Sequence, residues 1–288
     1  ALHSHGWDGA WFRRAFFDNG APLGAASEDE CRIDLIAQAW SVLSEASSDR
    51  YTVPALASMN RELIDREAGL LRLLHPPFAH SANNPGYIQA YPPGVRENGG
   101  QYSHAAVWAL MAQARTGDAE GAWESFKALS PAHRSAHPAR AAAYELEPYV
   151  MAGDIYSAPP YVGRGGWSWY TGSAAWLHRA AVETLIGLSV EPGRIRLQPC
   201  LPAHWPFVEL GLDLHGQTIR LRWQRAGEAI SGEWRDNSTV VAVAEGQWIA
   251  LDRLPAQARL LVQGHAAPEI AASGETPADD VSESLSNK

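Results

Sequence analysis

The segment from Pro85 to His104, PGYIQAYPPGVRENGGQYSH, limits the fold more than any other stretch of the chain. The adjacent Pro92 and Pro93 fix the backbone, and Gly94, Gly99 and Gly100 allow turns and close approaches that other residues resist. Tyr87, Tyr91 and Tyr102 offer flat apolar faces, while Arg96, Glu97, Gln101 and His104 add charge and hydrogen-bonding groups. A connection so costly to order is more often a binding site than a spacer. The plainer reading is a rigid corner in which Arg96 and Glu97 simply pair. The number and variety of polar groups favour the functional reading.

At 288 residues the chain can bury one large core or two ordinary ones. Twelve tryptophans are an excess, and an indole suits the C–H face and hydroxyls of a sugar as well as it suits a core. A net charge of −9 argues against nucleic acid or an anionic membrane surface as the main partner. Cys31 and Cys200 are too far apart for a metal motif, and a disulfide framework is not expected. No apolar run approaches membrane-spanning length and no signal peptide opens the chain, so the expectation is a cytoplasmic setting with no membrane contact by this segment. The opening ALHSHGWDGAWF, without Met, reads as a cut rather than a natural beginning.

Along the chain, residues 7–26 read as an irregular hairpin, and Ser27 as the cap of a helix from Cys31 to Ala46. A second helix is expected from Pro54 to Leu74, a third from Gln101 to Thr116 and a fourth from Ala119 to Leu129. Residues 133–143 give no clear pattern. A short buried helix is expected from Tyr149 to Tyr156 and a sixth from Ser173 to Ile186. Near Gly187 the period shortens to two, and strands are expected at 188–197, 219–223, 233–235, 239–244, 248–251 and 259–262. The fold class is therefore α+β multidomain: six helices over 1–187, a small antiparallel β-domain over 188–265, and a disordered tail over 266–288.

Several chemistries drop out. There is no phosphate-binding P-loop, dinucleotide fingerprint, GxSxG elbow or HExxH pair. His75, His80, His133 and His137 have no acidic or cysteine neighbours at ligand spacing, so no metal is expected. Two glycine-bearing loops remain, each entering a helix N-terminus, where open N–H groups and partial positive charge suit an anion. One leads to His104; the other, APPYVGRGGWSWYTG, leads to Thr171 and Gly172. A protonated imidazole, a hydroxyl and backbone N–H groups meeting at one point would hold inorganic phosphate beside a sugar.

The strings ENGGQYSHAA, EPYVMAGDIY and GRGGWSWYTGSAAW resemble signatures of the glycoside phosphorylases of glycoside hydrolase family 94. WDGAWFRRAFFDNGAPLG, DECRIDLIAQAW and GYIQAYPPGVRENGG are similar in particular to the phosphorylase-like C-terminal domain of bacterial cyclic β-1,2-glucan synthases. The resemblance spans Trp7 to about Pro206. It implies an (α/α)6 toroid with a β-domain, of which the six helices here would be the C-terminal half. It also implies a larger parent synthase anchored at the inner membrane. By the same resemblance His104, Thr171 and Gly172 match phosphate-binding positions, and Glu97 matches a sugar-binding one. Arg96, Tyr102, Arg164, Trp167 and Trp169 would line the sugar sites.

The implied reaction is inverting phosphorolysis of a β-glucan, with phosphate as co-substrate and no cofactor. Phosphate arrives as an anion and needs positioning rather than a second carboxylate to activate it. The family's general acid lies in a D-W-N-D-G motif, which this chain lacks, and Trp7-Asp8-Gly9 matches a later family element instead. The chain thus reads as a portion with the phosphate side present and the acid expected upstream. Two other readings stand beside it: a non-catalytic carbohydrate-binding module, and a toroid glycosidase using Glu97 and Asp154. The open apolar face of a half-ring predicts self-association.

Overall fold

A computed structural model describes residues 2–229, 234 and 240–265. The expected tail over 266–288 lies outside these residues, as does the expected strand at 233–235 apart from Trp234, which is buried.

After a π-helical turn over Leu2–Gly6 comes a hairpin, β1 (Ala15–Phe16) and β2 (Pro22–Leu23), followed by β3 (Ile33–Asp34), α1 (Leu35–Leu43) and α2 (Asp49–Glu62). Asp34, not Ser27, caps α1: its Oδ1 accepts from Ile36 N at 2.8 Å and Ala37 N at 3.2 Å. Residues 33–34 are extended because they pair with the returning strand, Ile33 opposite His75 and Asp34 opposite Leu74.

The expected long helix from Pro54 ends at Glu62 and begins earlier, at Asp49. Its supposed second half is three two-residue strands: β4 (Ile64–Asp65), β5 (Leu70–Leu71) and β6 (Leu74–His75). The leucines there face a buried core as any helix stripe would, but their backbone groups pair sideways. Leu71 N donates to Gln101 Oε1 at 2.9 Å, and Leu73 N to Gly100 O at 2.9 Å.

After β7 (Gln101–Tyr102) come α3 (Ser103–Arg115) and α4 (Ala119–Leu129), both close to expectation. Helix α3 is the central member, buried along nine of its thirteen residues from Ser103 to Ala114 and packed by α1, α4 and the later helix α7. The unassigned stretch forms α5 (Pro131–Arg134) and α6 (Pro138–Tyr144). No helix spans 149–156: the segment is extended and carries β8 (Asp154–Ile155). The last helix, α7 (Thr171–Arg179), continues as a π turn over Ala180–Leu185. No helix among the described residues is long and apolar enough to cross a membrane.

The β-region has its own apolar core, centred on Ile195, Ile219, Leu221 and Leu260. It contains β9 (Leu188–Glu191), β10 (Arg194–Leu197), β11 (Phe207–Leu214), β12 (Gln217–Gln224), β13 (Val240–Ala244), β14 (Ile249–Ala250) and β15 (Gln257–Gln263). The expected antiparallel arrangement holds in β9–β10–β14 and in the β11–β12 hairpin. It fails for β15, which runs parallel to both β12 and β13, so the larger sheet is mixed. A strand between two neighbours that point the same way pairs with both in one sense, parallel or antiparallel, and residue alternation alone does not report which.

Gly187 joins the last helical turn to β9 at φ +74°, and a Cβ there would lie 1.9 Å from Gln198 O. Gly193 has φ +75° with open space around it. Gly193→Ala should cost about 1–2 kcal/mol, the left-handed strain alone. Gly187→Ala should cost more than about 3 kcal/mol, because backbone must also move. Urea midpoints of the two variants measure the difference.

Candidate functional site

The two glycine loops meet on the extended segment from Met151 to Ser157, which lies between them and bonds to both. On one side, β7 pairs with β8, Gln101 opposite Ile155 and Tyr102 opposite Asp154. Ser103 N donates to Gly153 O at 3.0 Å and Ser157 N to Gly94 O at 2.9 Å. On the other side, Gly153 N donates to Trp167 O at 2.7 Å, Gly166 N to Asp154 O at 2.8 Å and Tyr170 N to Met151 O at 3.1 Å.

The close approaches require glycine. A Cβ on Gly94 would stand 2.4 Å from Ala158 Cβ, and one on Gly166 would stand 2.2 Å from Asp154 Oδ1.

Asp154 ties this seam together. It is 1% exposed, and its Oδ2 accepts the backbone N–H of Arg96 at 2.8 Å, holding Arg96 in the left-handed region at φ +51°. Its Oδ1 is buried without a hydrogen-bond partner. Burial raises its pKa, against the opposing pull of the Arg96 N–H and guanidinium. A carboxylate sealed between Gly166 and the Arg96 backbone cannot activate water, so the Glu97–Asp154 glycosidase reading fails on geometry.

The seam brings His104 and the start of α7 together. A methyl on Gly172 would lie 3.0 Å from His104 Nε2. The imidazole also sits 5.9 Å from Tyr170 in an edge-on contact and 6.1 Å from Tyr102 in a stacked one. No side chain caps α7, so the N–H groups of its first turn stay open beside exposed Thr171 and Gly172. Burial lowers the pKa of His104 below its ordinary 6.5.

Arg96 and Glu97 pair at 3.5 Å between Nε and Oε2, as the corner reading anticipated, although neither atom makes a hydrogen bond. The Arg96 guanidinium lies 5.0 Å from the ring centre of Trp167 and 5.3 Å from that of Tyr91. Burial opposes its charge, but Glu97, Tyr91 and Asp154 outweigh that and raise its pKa. Tyr102 is pushed up to about 12 by burial, then by the neighbouring Tyr170 hydroxyl and by Glu97. His104, Gly172, Tyr102, Arg96, Glu97 and exposed Trp167 thus belong to one cluster.

Arg164 and Trp169 make other contacts. Arg164 pairs with Glu145 at 3.1 Å, and Trp169 meets the ring of Tyr149 at 6.2 Å. The sequence reading missed Tyr170 as a member of the cluster. This residue sits immediately before Thr171 in the quoted motif, a position that could have identified it. Asp8, set aside as an acid, is a structural tie: Oδ1 pairs with Arg13 at 2.6 Å and Oδ2 accepts from Ala26 N at 2.6 Å. Chemically, the cluster offers donors and a titratable ring around an open helix N-terminus, with aromatic faces alongside: a seat for an anion next to a sugar.

The chain is similar in sequence to known proteins. The family described as "Glycosyl hydrolase 94 superfamily, catalytic domain" matches residues 1–187. The cyclic beta-(1,2)-glucan synthase NdvB of Rhizobium meliloti (strain 1021) is 45% identical over 233 residues, 81% of this chain and 8% of that protein. The solabiose phosphorylase of Paenibacillus borealis is 29% identical over 77% of this chain and 28% of its own length. An N,N'-diacetylchitobiose phosphorylase of Vibrio proteolyticus is 26% identical over 81% of this chain and 29% of its own. The chain therefore spans less than a third of each of these relatives.

In the ligand-free protein His104 should titrate below its ordinary 6.5. The unfolded chain then takes up the proton first, so the neutral ring contributes stability above pH 6.5 that is lost as pH falls through the folded value. An NMR titration of the imidazole reads the value directly. His104→Gln should flatten this part of the pH–stability curve.

Proposed function

The chain belongs to the glycosyl hydrolase 94 superfamily, and from that premise we propose that it is the phosphate- and sugar-holding portion of a glycoside phosphorylase domain of the cyclic β-1,2-glucan synthase type. The observation that carries the reading is the contact of His104 with Gly172, which joins two loops far apart in sequence at one open helix start. In this reading 1–187 is the C-terminal half of an (α/α)6 toroid, 188–265 a β-domain, and the remainder of the ring comes from the parent chain.

Phosphate sits against the first turn of α7, held by Thr171, the Gly172 N–H and His104. Its negative charge draws a proton onto the imidazole, reversing the preference of the empty site. The aromatic faces and the Arg96–Glu97 pair, with Tyr102, hold the terminal sugar of a β-glucan. A phosphate oxygen bonds to the anomeric carbon while the glycosidic C–O bond breaks on the opposite face, inverting the centre. A carboxylic acid protonates the leaving oxygen, giving a sugar 1-phosphate and a glucan one unit shorter. That acid belongs to another part of the parent protein, because the D-W-N-D-G motif is absent here. No cofactor takes part, and the setting is the cytoplasmic side of a membrane-anchored synthase. Arg164 and Trp169 would contact sugar further out, beyond the Arg96 cluster.

Exposed Trp167 and Trp169 also suit a second reading, a carbohydrate-binding module without catalysis. Phosphate separates the two. Calorimetric titration with inorganic phosphate should show a site that His104→Ala and Thr171→Val each weaken about tenfold, the loss of one charge-assisted hydrogen bond. Phosphate binding that neither substitution changes, or none at all, leaves only the sugar-binding module. With β-1,2-glucooligosaccharide and phosphate, the 288 residues alone should form little or no sugar phosphate; robust turnover would show that the acid is present after all.

A further inference from the structure

Away from the candidate site, a cavity of about 280 Å³ opens between α4, α5, α6 and the β4–β5 turn. Its walls carry Arg66, Lys127, Arg134 and Arg140 with His133 and His137, against one carboxylate, Glu124. Glu124 is already paired with Lys127 at 2.7 Å. On a chain whose net charge is −9, this is a local concentration of positive charge.

Arg134 is the fixed point. It is 6% exposed, and no carboxylate among the described residues pairs with it. Its Nε donates to Ala128 O at 2.7 Å and its Nη2 to Gly69 O, so two backbone carbonyls lock the guanidinium plane. Nη1 has no partner among the described residues and is not sealed from the cavity that Arg134 lines. Burial and the charge of Arg140 push the Arg134 pKa down to about 10, against a smaller upward pull from Tyr144. Arg66 and Arg140 likewise lack an ion-pair partner among the described residues.

The adjoining cavity, of about 300 Å³, shows the contrast. It is lined by acids, yet each is engaged in holding the fold together. Asp65 pairs with Arg72, Asp118 caps α4 through Gly121 N at 2.9 Å, Glu120 accepts Ala203 N at 2.8 Å, and Glu124 has Lys127. The acids of that cavity are consumed within the fold, whereas Arg66, which lines both cavities, Arg134 and Arg140 have no ion-pair partner among the described residues.

From this juxtaposition of a carbonyl-locked, unpaired Arg134 with Arg66 and Arg140 around one small cavity, we infer a second anion site that takes a phosphate dianion, free or carried on a monosaccharide. The guanidinium fork matches phosphate oxygens, and a bound dianion would relieve the mutual repulsion of three unpaired arginines. The volume admits a phosphate with one sugar ring and is too small for an oligosaccharide. The inference is independent of the role proposed for His104 and Thr171.

The test uses the 288-residue chain carrying His104→Ala and Thr171→Val, so that the candidate site is disabled, with far-UV circular dichroism and thermal melts confirming the fold. Titration with inorganic phosphate, and separately with glucose 1-phosphate, should still show one site per chain. Adding Arg66→Ala and Arg140→Ala, both exposed, should weaken that binding at least tenfold, and glucose should not compete. Equal affinity for the two ligands identifies the bare phosphate as the recognised group; tighter binding of glucose 1-phosphate identifies the sugar phosphate. Either supports the site. Loss of all phosphate binding in the His104/Thr171 variant, or binding indifferent to Arg66 and Arg140, overturns it, as does binding of an acidic peptide in place of either phosphate.

Discussion

The site depends on one buried strand-like segment, residues 151–157, being shared by two loops that are far apart in sequence. Its backbone gives N–H and C=O groups to the Arg96 loop on one edge and to the Trp167 loop on the other. Backbone groups in a buried position must be paired, and this segment has no helix or broad sheet to satisfy it. The loops therefore complete the segment as much as the segment positions the loops. Asp154 adds a side-chain bond across the seam, to the N–H of a residue in the left-handed region, with burial of its free oxygen as the cost, and the hydroxyls of Ser157 and Ser103 add bonds to Gly99 O and Ala152 O. Glycines at 94 and 166 are what allow the three runs of chain to approach so closely.

A site built this way has an unusual electrostatic state when empty. His104 favours its neutral form, Tyr102 holds its proton far above neutral pH, and Arg96 and Glu97 cancel each other at short range. Little net charge is stored there. In the proposed reading the positive end of α7 is the standing attraction for an anion, and the imidazole would add to it on taking up a proton. The basic cavity at Arg134 follows a different plan, with one buried guanidinium held in place by two carbonyl bonds.

Where local chemistry decided the outcome, the sequence was legible. Helix α4 has the expected bounds, closing at Ser130-Pro131, and α3 departs by two residues at its start and one at its end. The stretches that misled are those whose apolar residues pack as a helix would while their backbones bond elsewhere. Residues 64–75 and 149–156 are both of this kind: Pro148 and an apolar run looked like a helix start, but two loops claim its N–H and C=O groups. Parallel pairing of β15 was equally invisible, since alternation is the same in either direction.

By itself, then, the sequence determined that two glycine-bearing loops run into helix starts, which residues on them carry chemistry, and that helices give way to strands near Gly187, because turns, caps and periodicity are local properties. Only the tertiary structure decided that the loops meet, that Asp154 is a sealed brace, and that burial lowers the pKa of His104. Those outcomes depend on what is buried beside each group, and burial is a property of neighbours that lie far away along the chain.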